Sequence, residues 1–238
     1  MSDSFRIEYR FEFPDGEKKD FRIDLDRSNL LMPVAEIDPL PSWATIDFET
    51  CSVCKLDPEK HPACPIALNM VSLVDAFQDF FSYEEVSVTV TIEERSYHKE
   101  TSLQFGLSSL VGIIMVSSGC PTMELLKPNV RFHLPFSSLE EMAYRSFTMY
   151  LLGQFYRQRK GLSTNWTFED FEEIFNQVGE VNRAFSARLL AASKKDANIN
   201  ALVNLHCLGE MTPRVVPEIL DEMEKYFTAY TEPANASS

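Results

Sequence analysis

A chain of 238 residues with 45% hydrophobic side chains can bury a sizeable core, as one large domain or one domain with an appendage. Its formal net charge of −14 comes without clustered Lys and Arg, which argues against a phosphate-tracking nucleic-acid surface and against an anionic membrane as partner. The first residues lack an apolar signal core, and the longest apolar run, 103–116, is too short and too interrupted to span a bilayer, so a soluble cytoplasmic protein is expected.

Residues 5–13 alternate apolar and mostly charged side chains, which predicts a strand with Phe5, Ile7, Tyr9, Phe11 and Phe13 on one buried face. Pro14-Asp15-Gly16 is a turn signal and 21–25 alternates again, so residues 5–25 form a β-hairpin. Pro33, Pro39 and Pro41 discourage regular structure over 28–50, and Trp43, Ile46 and Phe48 fasten that stretch to the core. Pro65 suits the first position of a helix, and the apolar residues from Ile66 to Phe81 follow helical spacing. Val86, Val88, Val90 and Ile92 define a third strand, continuing towards Tyr97, that joins the hairpin in a small antiparallel sheet.

Residues 102–118 read as a central helix, apolar on most sides, whose Gly106, Ser109 and Gly112 allow another element to approach closely. Gly119 marks its stop. A short helix over 121–127 is expected before Pro128, and an extended segment over 132–136. Ser138 and Glu141 form a capping-box pattern that opens a helix to about Lys160, ended by Gly161. Thr167 opens another to about Lys195. Asp196 caps a third to Leu208, stopped by Gly209, and Pro213 starts a last one to about Tyr230. Residues 231–238 read as a loose tail. The expected fold class is α+β: one domain over 1–230, with a small N-terminal antiparallel sheet and cysteine loop (1–101) packed on a larger helical part (102–230), joined at a cysteine metal site.

Five cysteines in a chain without a signal point away from a disulfide framework and towards metal or redox chemistry. Cys51 and Cys54 form a chelating CxxC pair, because two intervening residues let both sulfurs reach one ion. Cys64 and Cys120 each precede a proline that opens a helix-like run, where unpaired N–H groups and the helix dipole favour a thiolate. Together Cys51, Cys54, Cys64 and Cys120 make a candidate tetrathiolate, while Cys207, beside Leu205 and Leu208, reads as a core cysteine. A single CxxC is weak evidence alone, and buried thiols with no metal are the competing reading. Base rates for structural sites favour zinc; dispersed cysteines followed by proline favour an iron–sulfur cluster. The balance is near even and tips to zinc. His61, in the loop between Cys54 and Cys64, reads as a solvated histidine, and His133, between Phe132 and Leu134, as a buried or supporting one, although either could replace a thiolate.

The remaining polar groups have ordinary explanations. Glu140, Glu141 and Arg145 fit a helix cap and an i,i+4 ion pair better than a general base beside a substrate-binding Arg. Tyr144, Tyr150, Gln154 and Tyr156 read as helix packing with satisfied polar tips. Asn182, Arg183, Arg188, Asn198 and Asn200 fit a structural hydrogen-bond network as well as a polar cleft. No phosphate loop, dinucleotide fingerprint, nucleophile elbow or metalloprotease histidine pair occurs, so catalysis is left open.

Ser118-Gly119-Cys120-Pro121 followed by His133-Leu134-Pro135-Phe136, after the 51–64 cysteine block, resembles a bacterial family of uncharacterised proteins. The similarity covers most of the chain, including Asp196 to Asn200, and implies a bacterial cytosolic setting without an activity. Two functions are carried forward. One is a binding or adaptor protein, of unidentified protein partner, with a structural zinc. The other is an iron–sulfur redox protein or enzyme using the same four cysteines.

Overall fold

The computed structural model describes residues 3–33 and 35–231, with backbone alone for residues 208–215. Alternating side chains build β1 (Ser4–Glu12) and β2 (Lys18–Asp26), paired antiparallel with Phe5 opposite Leu25 and Ile7 opposite Ile23. Gly16, at φ 91°, makes the turn between them. β3 (Glu85–Ile92) pairs with β1, and β4 (Arg95–Ser102) pairs with β3, giving the sheet order β2-β1-β3-β4. One face carries Phe5, Ile7, Tyr9, Phe11, Val86, Val88 and Val90, all buried. The other carries exposed pairs such as Arg10–Asp20 and Arg6–Asp24, as expected of an antiparallel sheet with one wet face.

β4 is a difference from the single third strand expected from sequence. Its residues, Arg95 to Ser102, are polar apart from Tyr97, which packs against the core, so no alternation announces it. It is an edge strand, and its register against β3 follows a turn in which Glu93 adopts φ 48°.

α1 (Pro65–Phe77) begins on its proline with Cys64 as N-cap. α2 (Leu103–Ser117) is buried on most sides and lies against the inner face of the sheet. A Cβ added at Gly106 would stand 2.8 Å from Val88 Cγ2 and 3.2 Å from Phe11 Cε1, so glycine sets how closely α2 approaches β1 and β3. Gly119, at φ 88°, ends the run. The next segment departs from expectation. A 3-10 turn over Met123–Leu126 leads into α3 (Lys127–Arg131), which takes Pro128 into its first turn instead of stopping before it. Residues 132–136 turn as well as extend, with Phe136 at φ 60°.

α4 (Leu139–Arg159) has the predicted capping box: Glu141 N–H donates to Ser138 Oγ at 3.2 Å and Ser138 N–H to Glu141 Oε2 at 2.8 Å. α5 (Glu169–Ala192) starts two residues past Thr167, because Asn165 Oδ1 accepts from both Thr167 N–H and Thr167 Oγ and holds that residue in a turn. α6 (Ala197–Met223) runs straight through Gly209 and Pro213, where local rules place a stop and a new start. Packing against α2, α4 and α5 outweighs the local penalties of the two breakers. The chain then reaches α7 (Thr228–Thr231); the tail expected beyond it lies outside the described residues.

One core joins the sheet to α1, α2, α5 and the first half of α6. A second, smaller aromatic cluster of Tyr150, Phe171, Phe175 and neighbours fills the space between α4, α5 and α6. Among the described residues no helix is long and apolar enough to cross a membrane.

Candidate metal centre

The segment from Arg27 to Cys64 has no strand and only one 3-10 turn, Ser42–Ala44, among its described residues, so its backbone must find partners elsewhere. It finds them on two sides. Met32 N–H donates to Ser117 O at 2.8 Å, and Thr45 bridges Ala63, with Cys64 N–H on Ala44 O at 2.9 Å and Ile46 N–H on Pro62 O at 3.0 Å. From α5, the buried Arg188 donates to Trp43 O and Thr45 O, both at 2.7 Å, and to Ile46 O at 3.2 Å. The loop is thereby folded back on itself and clamped to the helical body, which carries its cysteines to the start of α1.

Three pieces of chain meet there. Cys54 N–H donates to Cys51 O at 3.0 Å, closing a turn that sets the CxxC pair side by side. Ser52 Oγ, between them, donates to Glu180 Oε2 of α5 at 3.0 Å. Cys64 caps α1. Cys120 follows the left-handed Gly119, and the backbone N–H groups of Thr122 and Met123 point at its sulfur. Pro121 therefore opens a turn rather than an α-helix, yet the turn's free N–H groups still favour a thiolate at Cys120.

Cys51, Cys54, Cys64 and Cys120 line one small, partly open cavity of about 30 Å³, together with Ile66, Val181, Phe185 and Arg188 among others. That is room for one water-sized particle. Burial pushes the Cys51 thiol up to about 12, helped by the nearby Cys54, Cys120 and Cys64. Burial also raises the Cys120 thiol, against the pull of its two N–H donors, with Cys64 and Cys54 adding to the rise. The four sulfurs thus feel one another, and near neutral pH Cys51 and Cys120 are thiols. Among the described residues, no group of three or more His, Cys, Asp or Glu side chains is arranged to hold a metal ion. Neutral thiols gain nothing by crowding together; ligation requires protons to leave as a cation enters. All five cysteines are free.

The other predicted residues fall elsewhere. Cys207 is exposed on α6, not a core cysteine, because it lies about 200° around the helix from the inward Leu205. His61 is an exposed loop residue and does not line the cavity. His133 also stands apart from it, with Nε2 2.6 Å from Tyr9 Oη; part of the residue reaches solvent, while its ring nitrogen lies within the protein. Arg145 donates to Asn129 O at 2.9 Å and Phe132 O at 2.8 Å, and Tyr150 and Gln154 hold the α4–α5 loop at Asn165. Asn198 donates to Val74 O, and Asn200 joins Asp196 and Ser82, so these asparagines serve the fold. Arg188, which sequence placed only among several polar groups, turns out to line the cysteine cavity. Its one signal was a lone charge between Phe185 and Leu189 on an apolar face.

The fold and the cavity define an α+β protein in which an irregular, cysteine-bearing loop is clamped to a helical body. The chain belongs to the family described as Domain of unknown function (DUF6901), whose model matches residues 7–228. The family is uncharacterised, as the resemblance implied. No curated protein and no solved structure matches the chain.

Proposed function

We propose that this is a cytoplasmic metal-binding protein in which Cys51, Cys54, Cys64 and Cys120 hold one structural zinc ion, and that it acts as a binding or adaptor protein towards another protein. One observation carries the reading: four thiols from three separate stretches of chain surround one cavity of about 30 Å³, the volume of a single small particle. Zinc takes four thiolates in a tetrahedron at about 2.3 Å, so the four sulfurs lining the cavity would have to converge on the ion as it binds. Its role would be to staple the loop carrying Cys51 and Cys54 to the start of α1 and the end of α2. Free cysteines suit a reducing compartment.

The second reading is an iron–sulfur cluster on the same four residues, favoured by their dispersed spacing and by the prolines after Cys64 and Cys120. The small cavity weighs against it, because a multi-atom cluster would have to displace walls such as Ile66 and Phe185. Elemental analysis and a visible spectrum of anaerobically purified protein decide between them. One zinc per chain and no colour supports the first reading. A brown protein with iron and sulfide replaces it with the second. A metal-free protein that takes up neither ion removes both.

A further inference from the structure

We infer that Arg188 is the counter-charge of the cysteine site: its buried guanidinium stabilises the anionic metal–tetrathiolate and fixes the loop wall against it. This rests on the four-cysteine reading above and assigns the residue that makes that site electrostatically tenable.

Arg188 is 3% exposed, on the same face of α5 as Val181, Ala184 and Phe185, and lines the cavity with them. Its hydrogen-bond partners are the carbonyls of Trp43, Thr45 and Ile46, and its guanidinium lies 6.0 Å from the Phe48 ring centroid. Carbonyl dipoles satisfy N–H groups but leave the net positive charge in place, and no carboxylate of the described residues is among its partners. Glu49 lines the cavity too but is exposed to solvent. A guanidinium this deeply buried is stabilised by an anion nearby. Four thiolates around one divalent ion carry two surplus negative charges, in the space that Arg188 borders. The buried cation and the anionic site each remove much of the other's desolvation penalty. Arg suits this place better than Lys for the loop, since its planar fork reaches three carbonyls at once, whereas either residue supplies the charge.

The two roles separate in a pair of variants of the full chain. Zinc affinity is measured by competition with a chromogenic chelator, alongside thermal melting, for the wild type, Arg188→Met and Arg188→Lys. We expect both variants to melt earlier, through loss of the carbonyl contacts. Arg188→Met should bind zinc ten- to a hundredfold more weakly, the usual effect of removing a supporting group, and Arg188→Lys should stay within a few-fold of wild type. Equal affinities in all three, or equal losses in Met and Lys, would overturn the counter-charge and leave the metal site standing. A wild type that takes up no metal would overturn the site, and the counter-charge with it. If Arg188→Met does not fold, Arg188→Gln against Arg188→Lys makes the same comparison of a neutral with a charged side chain.

Discussion

Tyr9, on the buried face of β1, donates through its hydroxyl to Ser109 Oγ at 3.1 Å, and His133 Nε2 stands 2.6 Å from the same oxygen. With that hydroxyl proton committed to Ser109, the neutral imidazole that fits carries its hydrogen on Nε2. Burial, with the Arg145 charge adding, lowers the His133 pKa from 6.5 to about 3, and burial lifts Tyr9 out of the working range. Between pH 6.5 and about 3 the unfolded chain binds a proton at this residue that the folded chain refuses. The stabilising contribution is therefore complete above pH 6.5 and is lost progressively on acidification towards pH 3. From pH 7 to pH 5 we expect a loss on the order of 2 kcal/mol from this group, which His133→Gln should abolish. Urea unfolding of both proteins at the two pH values checks it; parallel losses would show that His133 is not responsible. The cysteines differ from one another in the same local way. Cys64→Ala and Cys120→Ala should each abolish stoichiometric metal binding. Cys207→Ala should retain the metal and change stability by about 0.5 kcal/mol or less, as exposed positions do. Metal content and melting of the three variants, side by side, test the ligand assignment, and a Cys120→Ala protein that keeps its metal would refute it.

Among the elements, α2 shows most clearly how a small residue is used. Alanine at Gly106 would gain about 1 kcal/mol in helix propensity, but its methyl would meet Val88 Cγ2 at 2.8 Å. Val88 is stiff, buried and held in the central part of the sheet, so it cannot swing aside. Overpacking of this kind costs about 1–3 kcal/mol, and the clash should win. Gly153, inside α4, has nothing within 4 Å of its missing Cβ, and there alanine should stabilise by roughly 0.5–1 kcal/mol. Opposite shifts in melting temperature for Gly106→Ala and Gly153→Ala are the expected result. A stabilising Gly106→Ala would mean that α2 stands further from the sheet than described. The Ser82 loop shows a different use of an element end. Asp196, the N-cap residue of α6, does not cap with its side chain but accepts from Ser82 N–H at 2.8 Å, Ser82 Oγ at 2.9 Å and Asn200 Nδ2 at 2.9 Å. The helix start thereby anchors the connection between α1 and β3.

At the scale of the whole molecule, the cysteine cavity sits at the border of the larger core, between the irregular loop and the helices. The second cluster, of Tyr150, Phe171 and Phe175, contains no cysteine among the described residues. The packing of α4 with α5 and α6 in that cluster is thus independent of the proposed metal. Removing the metal with a chelator should lower the melting temperature yet leave most far-ultraviolet helical signal, and amide protection should fall first in residues 43–64. Collapse of the helical signal on chelation would instead make the metal a condition of folding. The sheet's single buried face, its N-terminal hairpin, α1, α2 and the capping box of α4 are all legible in the chain, because each rests on periodicity or on a local cap that neighbouring residues dictate. β4 is not, because an edge strand with a single apolar contact, Tyr97, is defined mainly by the strand it pairs with. The unbroken α6 is not, because local breakers at Gly209 and Pro213 are overruled by three packed helices. At the site, residue type and spacing alone single out Cys51, Cys54, Cys64 and Cys120. That all four border one cavity, that Cys207 faces outward, and that Arg188 reaches across from α5 were decided by tertiary structure. Those relations join residues more than a hundred positions apart in the case of Arg188 and the 43–46 carbonyls, and no local rule of the chain can set such a distance.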